Sequence, residues 1–281
     1  MEFTRRTALT SLALSLAGSV AAAPASNREP PPYPGPKTIT HRRVSANGLT
    51  MHLAEQGHGP LVLLVHGFPE SWYSWRHQIP ALADAGFHAV APDLRGYGDS
   101  DAPPERQSYS IMHLVGDMVG LVTALGEKRA TIIGHDWGAG VAWNTALLRP
   151  DVFPAVVALS VPYRQRGSEP PLRTLRRSGL YTYYWLYYQD PGVADAEYDR
   201  DPKTTLRKTF YTLSGDAPHS DVNPRMLQPG KGALDSLLDP PHSLSWLTEA
   251  DLDYMASVLS RNGFRNPLNY YRNVSVRSWL H

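Results

Sequence analysis

An aspartate lies between two glycines in the segment Gly134-His135-Asp136-Trp137-Gly138. A carboxylate exposed at such a turn can attack a saturated carbon that carries a leaving group, and the attack leaves an alkyl ester on the enzyme. The spacing therefore predicts a nucleophile whose substrates are epoxides or alkyl halides. The alternative is that Asp136 only caps a helix, since aspartate is a common residue at that position.

The residues around Asp136 predict how it is positioned. An apolar run from Thr131 reads as a strand, and the pattern from Val141 to Leu148 reads as a helix, so the segment between them forms a tight elbow. Side chains at Gly134 or Gly138 would collide with the neighbouring strand and helix. At a helix N-terminus the free N–H groups and the helix dipole favour an ionised carboxylate, which a nucleophile must be.

A second segment, His66-Gly67-Phe68-Pro69, follows the buried strand pattern Leu61 to Val65. Beside a nucleophile elbow, a loop in this position supplies one backbone N–H to an oxyanion hole, and the residue after the nucleophile supplies the other. These would be the N–H groups of Phe68 and Trp137. Alternatively the tetrapeptide is an ordinary turn in which the histidine is satisfied by a backbone hydrogen bond.

The surrounding elements predict an α/β fold. Residues 38–46 and 49–55, joined by Asn47-Gly48, are typical of a hairpin, because Asn-Gly supplies the positive φ angles of a two-residue loop. Further strands are predicted at 89–92 and 155–160, and helices at 72–85 and 109–125. This alternation predicts a mostly parallel sheet flanked by helices.

Composition and net charge exclude several classes of site and partner. The 281 residues are 42% hydrophobic and carry a formal charge of +1, which gives no indication of nucleic acid or an anionic membrane as partner. Cysteine is absent, so disulfides, thiolate metal sites and a cysteine nucleophile are excluded. Composition does not predict the oligomeric state.

The first 37 residues predict export rather than a folded element. Residues 1–25 combine a short basic start, an apolar stretch and an Ala23-Pro24-Ala25 cleavage pattern, which is typical of a bacterial signal peptide. Arg5-Arg6 resembles a twin-arginine signal, and the ordinary secretory route remains open. Residues 26–37 form a proline-rich linker. We expect a periplasmic or secreted protein without a stable membrane anchor.

Three motifs together resemble the epoxide hydrolases of the α/β-hydrolase fold: His66 to Trp72, Asp93 to Ser100, and Gly134 to Gly138. The similarity runs from about Thr40 to Asn273. The resemblance implies an enzyme, free of metal and cofactor, that adds water to a small-molecule epoxide and releases a vicinal diol. Haloalkane dehalogenases share the aspartate elbow, but they typically have asparagine where this chain has Phe68.

The resemblance also implies proton donors. Opening an epoxide releases an alkoxide, and a tyrosine is protonated at neutral pH yet far more acidic than an alcohol. Two cap tyrosines serve this role in the family, and the motifs at 184–192 and 266–273 match them at Tyr184 and Tyr271. Tyr183 and Tyr270 are the alternatives.

One part of the family pattern is missing. A catalytic acid and a water-activating histidine are expected downstream of the elbow, yet only residues 274–281 follow the Tyr271 motif. No acid directly follows the strand at 155–160, and His219, His242 and His281 lie in the predicted lid or at the chain end. The sequence therefore predicts a fragment or truncated product that lacks its last strands and cannot complete turnover.

The sequence thus predicts an epoxide hydrolase that works through an aspartyl ester. The alternatives are a haloalkane dehalogenase and a catalytically incomplete ligand-binding relative. The predicted organisation is a signal peptide (1–25), a linker (26–37), an α/β-hydrolase core (38–161), a helical cap inserted after the sixth strand (162–266) and a truncated return to the core (267–281).

Overall fold

A computed structural model of the chain describes residues 38–165, 167–218 and 223–275. The predicted signal peptide (1–25) and linker (26–37) lie outside the described residues, as do His219 and His281. Within the described ranges, the helices are too short or too polar to cross a bilayer.

Six strands form one sheet in the order β1-β2-β4-β3-β5-β6. Strands β3 to β6 run parallel to one another, whereas β1 and β2 are antiparallel to their neighbours. The predicted hairpin is present, since Asn47 and Gly48 join β1 to β2 with φ angles of 50° and 75°. The strand bounds are β1 Thr40–Ala46, β2 Leu49–Gln56, β3 Leu61–Val65, β4 His88–Pro92, β5 Thr131–His135 and β6 Ala155–Leu159.

Three helices pack against this sheet: α1 (Gln78–Asp84), α2 (Ile111–Ala124) and α3 (Trp137–Leu148). Strand β3 is buried along its whole length, as its continuous apolar run predicts. Its carboxyl end meets that of β5, because the two strands are parallel neighbours with Val65 opposite Gly134. The predicted mostly parallel α/β sheet is confirmed, and the two motif loops emerge at the same edge.

The single helix predicted at 72–85 is wrong. A short 3-10 helix (Trp72–Trp75) is followed by a break and then by α1. Pro80 explains the break, because a proline has no N–H to offer the carbonyl of Arg76 and its ring would collide with that carbonyl. In the first turn of α1 the missing N–H costs nothing.

After β6 the chain is helical, and we call residues 162–266 the helical segment. Within its described residues it contains five helices and a short 3-10 helix at Leu234–Ser236, and a sixth helix, α9, begins at its end. The bounds are α4 Pro171–Arg177, α5 Tyr184–Tyr187, α6 Ala194–Asp199, α7 Pro202–Leu213, α8 Glu249–Ser260 and α9 Arg265–Arg272.

Strand β6 is the edge of the described sheet, where Val157 and Leu159 are 47% and 43% exposed.

Candidate active site

Asp136 lies at the sharp turn between β5 and α3. Its φ is +51° and its ψ is −116°, a backbone conformation that is strained for any residue except glycine. The turn can close because a Cβ on Gly134 would lie 2.0 Å from the carbonyl oxygen of Gly138, and one on Gly138 would lie 2.0 Å from that of Val65. Helix α3 begins at Trp137, four residues before the predicted start, so Asp136 directly precedes its first turn.

Two backbone N–H groups act on the Asp136 carboxylate. The N–H of Phe68 donates to Oδ1 at 3.0 Å, and the N–H of Trp137 lowers the pKa of the same carboxyl. Gly67 allows the loop to approach this closely, because a Cβ there would lie 2.5 Å from Cβ of Asp136. The carboxylate makes no cap hydrogen bond farther into α3. The predicted pair of N–H donors therefore meets the predicted nucleophile.

Burial affects the charge of Asp136 more strongly than the helix terminus does. Asp136 keeps partial contact with solvent, yet desolvation by the surrounding protein raises its pKa to about 6. The hydrogen bonds from Phe68 and Trp137 act in the opposite direction without overcoming it. At neutral pH the carboxylate is still mostly ionised, as a nucleophile requires.

His66 has a structural role in its loop. Its Nδ1 lies 2.9 Å from the carbonyl oxygen of Gly67, and its Nε2 accepts from the N–H of Leu94 at 3.0 Å. The ring is fully buried. The backbone-bonded alternative considered for this histidine is therefore the arrangement found. The following Phe68–Pro69 peptide bond is cis.

His135 is joined to a carboxylate to which the sequence assigns no role. Its Nδ1 lies 2.8 Å from Oε1 of Glu70, and Oε2 of Glu70 accepts from the N–H of Gly67 at 2.8 Å. Burial would raise the pKa of Glu70, but the His135 hydrogen bond holds it below its usual value, and the same bond raises the pKa of His135. Glu70 thus links the elbow to the Phe68 loop.

Tyr271 and Tyr184 come from separate helices and meet at the site. Their ring centroids are 5.8 Å apart, and Tyr271 contacts the rings of both Phe68 (5.3 Å) and Trp137 (5.0 Å). Burial raises the pKa of each tyrosine, and the charge of Asp136 raises both further. A tyrosine whose pKa rises next to a carboxylate stays protonated and can donate. Trp185 and Tyr188 also pack against Tyr271.

Only one of the two alternative tyrosines is distinguished by its contacts. The hydroxyl of Tyr270 donates to the carbonyl oxygen of Arg95 at 3.0 Å, so that hydrogen bond occupies its proton. Tyr183 is not separated in this way, because its ring stacks on that of Tyr184 at 5.0 Å while its backbone pairs with Met226 in an isolated β-bridge. No hydrogen bond joins the hydroxyl of Tyr184 or Tyr271 to acceptors within the described ranges, which leaves those two able to donate to a ligand.

An arginine missed by the sequence analysis holds the two tyrosines in place. The buried side chain of Arg272 donates through Nε to the carbonyl oxygen of Tyr188 at 2.9 Å and through Nη2 to Oδ1 of Asp195 at 3.1 Å. It thereby joins α9, which carries Tyr271, to the end of α5, which carries Tyr184. Its position directly after Tyr271 was the only signal in the sequence.

The remaining described histidines lie apart from the Asp136 carboxylate or form no bond to it. His242 lies before α8, where it lines a surface cleft with Tyr211 and Asp216. No histidine of the described residues forms a hydrogen bond with the Asp136 carboxylate. The described residues also contain no cluster of histidine and acidic side chains suited to a metal ion.

The chain is similar to several known proteins along most of its length. Residues 60–234 match the family model described as alpha/beta hydrolase fold. The chain is 46% identical over 244 residues to Epoxide hydrolase A of Mycobacterium tuberculosis, covering 85% of this chain and 75% of that protein. It is 44% identical to Epoxide hydrolase 2 of Siraitia grosvenorii, covering 85% and 73%. The crystal structure of Epoxide Hydrolase A from Mycobacterium thermoresistibile matches with a TM-score of 0.79 at 47% identity, covering 85% and 75%.

Proposed function

The chain belongs to the epoxide hydrolases of the α/β-hydrolase fold, and from that premise we propose that Asp136 opens an epoxide by forming an alkyl ester. The single observation that carries the proposal is the position of the Asp136 carboxylate. It accepts a hydrogen bond from the Phe68 N–H and is favoured in its ionised form by the Trp137 N–H, beside two tyrosines whose hydroxyls are not bonded within the described residues. A nucleophile and its proton donors therefore converge on one site.

In the first half-reaction, a carboxylate oxygen of Asp136 attacks an epoxide carbon. The C–O bond of the ring breaks, and the departing oxygen takes a proton from Tyr184 or Tyr271. Such positioned proton donation contributes roughly 10²- to 10⁴-fold to a rate. The aromatic rings of Phe68, Trp137 and Tyr271 favour an apolar epoxide.

In the second half-reaction, water attacks the carbonyl carbon of the Asp136 ester and releases the diol. Negative charge then develops on the carbonyl oxygen, and the Phe68 and Trp137 N–H groups stabilise it, as oxyanion-hole donors do. This half-reaction also requires a base that accepts a proton from water. Residues 162–266 serve in this proposal as the cap that carries Tyr184 over the nucleophile.

The test exposes the chain to styrene oxide and, separately, to 1-bromobutane. An Asp136 ester or diol from the epoxide, without bromide release from the bromoalkane, supports the proposal. Bromide release without reaction of the epoxide would favour a haloalkane dehalogenase, and binding without any adduct would favour a ligand-binding relative. Peptide mass spectrometry locates the adduct, and Asp136→Ala is the control that cannot form it.

We also propose that residues 1–25 direct export to the periplasm or medium. The cleavage pattern Ala23-Pro24-Ala25 supports this. N-terminal sequencing of protein recovered from outside the cytoplasm tests it, because removal of the signal would leave Ser26 as the first residue. An intact Met1 on the recovered protein would contradict it.

A further inference from the structure

The indole N–H of Trp185 is buried and has no hydrogen-bond partner among the described residues. Buried donors are nearly always paired, because an unpaired one has lost its hydrogen bonds to water without replacement. An orphaned donor at a reactive site therefore indicates an acceptor that forms or arrives during the reaction.

The ring of Trp185 packs among the aromatic rings of the proposed active site. Its ring centroid is 6.3 Å from that of Tyr184, 6.2 Å from that of Tyr271 and 6.4 Å from that of Trp137. Several other buried side-chain atoms lack partners, but of the described ones only this N–H belongs to a ring that packs against both proposed proton donors. Its acceptor should therefore be sought at the reacting tyrosines.

Proton donation creates such an acceptor. When Asp136 attacks, a bond forms between its carboxylate and the epoxide carbon, and the ring C–O bond breaks. The proton of Tyr184 moves to the departing oxygen. One negative charge thus leaves Asp136 and appears on the oxygen of Tyr184. A phenolate accepts hydrogen bonds much more strongly than a neutral hydroxyl does.

The surroundings of Tyr184 make that charge costly. Burial raises its pKa, and the neighbouring Tyr183 and Asp136 raise it further. The Trp185 side chain acts in the opposite direction and favours the phenolate. In the resting structure its N–H forms no hydrogen bond within the described residues.

We propose that Nε1–H of Trp185 donates a hydrogen bond to the oxygen of Tyr184 while that oxygen gives its proton to the opening epoxide. The indole keeps its own proton throughout. This inference rests on the proposed function, because it requires Asp136 to be alkylated and Tyr184 to act as a proton donor.

The test measures single-turnover alkylation of Asp136 by styrene oxide, followed by intact mass. Trp185→Phe removes the N–H, and Trp185→3-benzothienylalanine replaces it with sulfur while keeping the size of the indole. Each should slow alkylation by about 10- to 100-fold, the range for a hydrogen bond to a charged group. Trp143→Phe is the matched control, since its N–H bonds Val161 outside the site, and it should alkylate at the wild-type rate.

A double-mutant cycle separates this role from packing. In a Tyr184→Phe background no phenolate can form, so removing the Trp185 N–H should have no further effect on the rate. An equal loss in both backgrounds would overturn the proposal and indicate a role in packing or direct substrate binding. An unchanged rate in the benzothienylalanine variant of the wild-type background would also overturn it.

A second readout varies the leaving oxygen. A trifluoromethyl group makes the alkoxide from 3,3,3-trifluoro-1,2-epoxypropane less basic than that from 1,2-epoxypropane, so its release needs less help from an acid. The loss caused by Trp185→Phe should therefore be smaller for the fluorinated substrate, and equal losses would overturn the proposal. If the wild type forms no Asp136 adduct at all, the proposed function itself fails, which is a distinct result.

Discussion

The carboxylate of Glu70 bridges the two halves of the site, with one oxygen 2.8 Å from Nδ1 of His135 and the other 2.8 Å from the N–H of Gly67. His135 directly precedes Asp136, the proposed nucleophile, and Gly67 directly precedes Phe68, whose N–H donates to Asp136. A single buried side chain thus sets the distance between the Phe68 N–H and the carboxylate that it holds.

Glu70→Gln should slow alkylation of Asp136 by about 10-fold, because it exchanges charge-assisted hydrogen bonds for weaker neutral ones while keeping an oxygen for Gly67. Stopped-flow or quenched single-turnover measurements check the rate. Glu55→Gln is the control, since Glu55 bonds His88 and Arg42 in the part of the sheet formed by β1, β2 and β4. That variant should lose stability without losing rate, and equal rate losses would contradict a special role for Glu70.

The Glu70–His135 pair predicts the pH range in which wild type and Glu70→Gln differ most in stability. The pKa of His135 is raised in the fold, so its contribution is complete below about 6.5 and is lost as pH rises through the raised value. The pKa of Glu70 is lowered, so its contribution is complete above about 4.5 and is lost as pH falls through the lowered value. Thermal unfolding across pH should show the largest difference between these limits.

The rate of Asp136 alkylation should rise with pH with a midpoint near pH 6 and level off above that midpoint. Only the ionised carboxylate attacks, and desolvation raises its pKa to about 6. Single-turnover rates measured from pH 4.5 to 8 check this with one epoxide at fixed concentration. A midpoint near 4, the usual range for an exposed aspartate, would show that burial does not control the charge.

Tyr184→Phe and Tyr271→Phe should each slow alkylation by about 10²- to 10⁴-fold, and the double variant should be slower than either. Both changes keep the ring and remove only the proton donor. Tyr183→Phe and Tyr270→Phe are matched controls on the neighbouring residues. They should keep the wild-type rate, with Tyr270→Phe losing about 1 kcal/mol of stability with its bond to Arg95. Wild-type rates in both single variants at Tyr184 and Tyr271 would refute the assignment.

Arg272→Met should destabilise the fold by about 3–5 kcal/mol, because it leaves the buried carboxylate of Asp195 without its partner. Chemical denaturation measures the loss. Adding Asp195→Asn should recover part of it by removing the unpaired charge. Lys203→Met, which breaks a partly exposed pair with Glu249 and Asp253, should cost less than about 1 kcal/mol. Equal losses of unfolding free energy at the two sites would show that the Arg272–Asp195 ion pair stabilises the fold no more than an exposed ion pair does.

A polypeptide of these 281 residues should hold the Asp136 ester without sustained diol production. Ester hydrolysis needs a base, yet His66 is bonded through both nitrogens and His135 has a raised pKa that favours its protonated form. Intact mass followed over hours after exposure to epoxide checks the lifetime of the adduct. Multiple turnovers would contradict this and would direct attention to His219 and His281, which lie outside the described residues.

The sequence alone predicts most of the backbone geometry around Asp136. Glycines at 134 and 138 are needed because backbone atoms occupy the space of their side chains, and parallel strands bring the loops after Val65 and His135 to one edge. Both effects depend on local geometry and on strand direction, which residue types and periodicity encode. The Asn47-Gly48 hairpin is predicted for the same reason.

Only the tertiary structure separates Tyr271 from Tyr270 by contact. Adjacent tyrosines have the same chemistry, and what distinguishes these two is that the hydroxyl of Tyr270 donates to the carbonyl oxygen of Arg95. The pKa of Asp136 and the bridges made by Glu70 and Arg272 are likewise decided by packing. Desolvation and hydrogen bonding depend on which distant groups meet, and these partners lie 65 residues apart for Glu70 and His135 and 77 apart for Asp195 and Arg272.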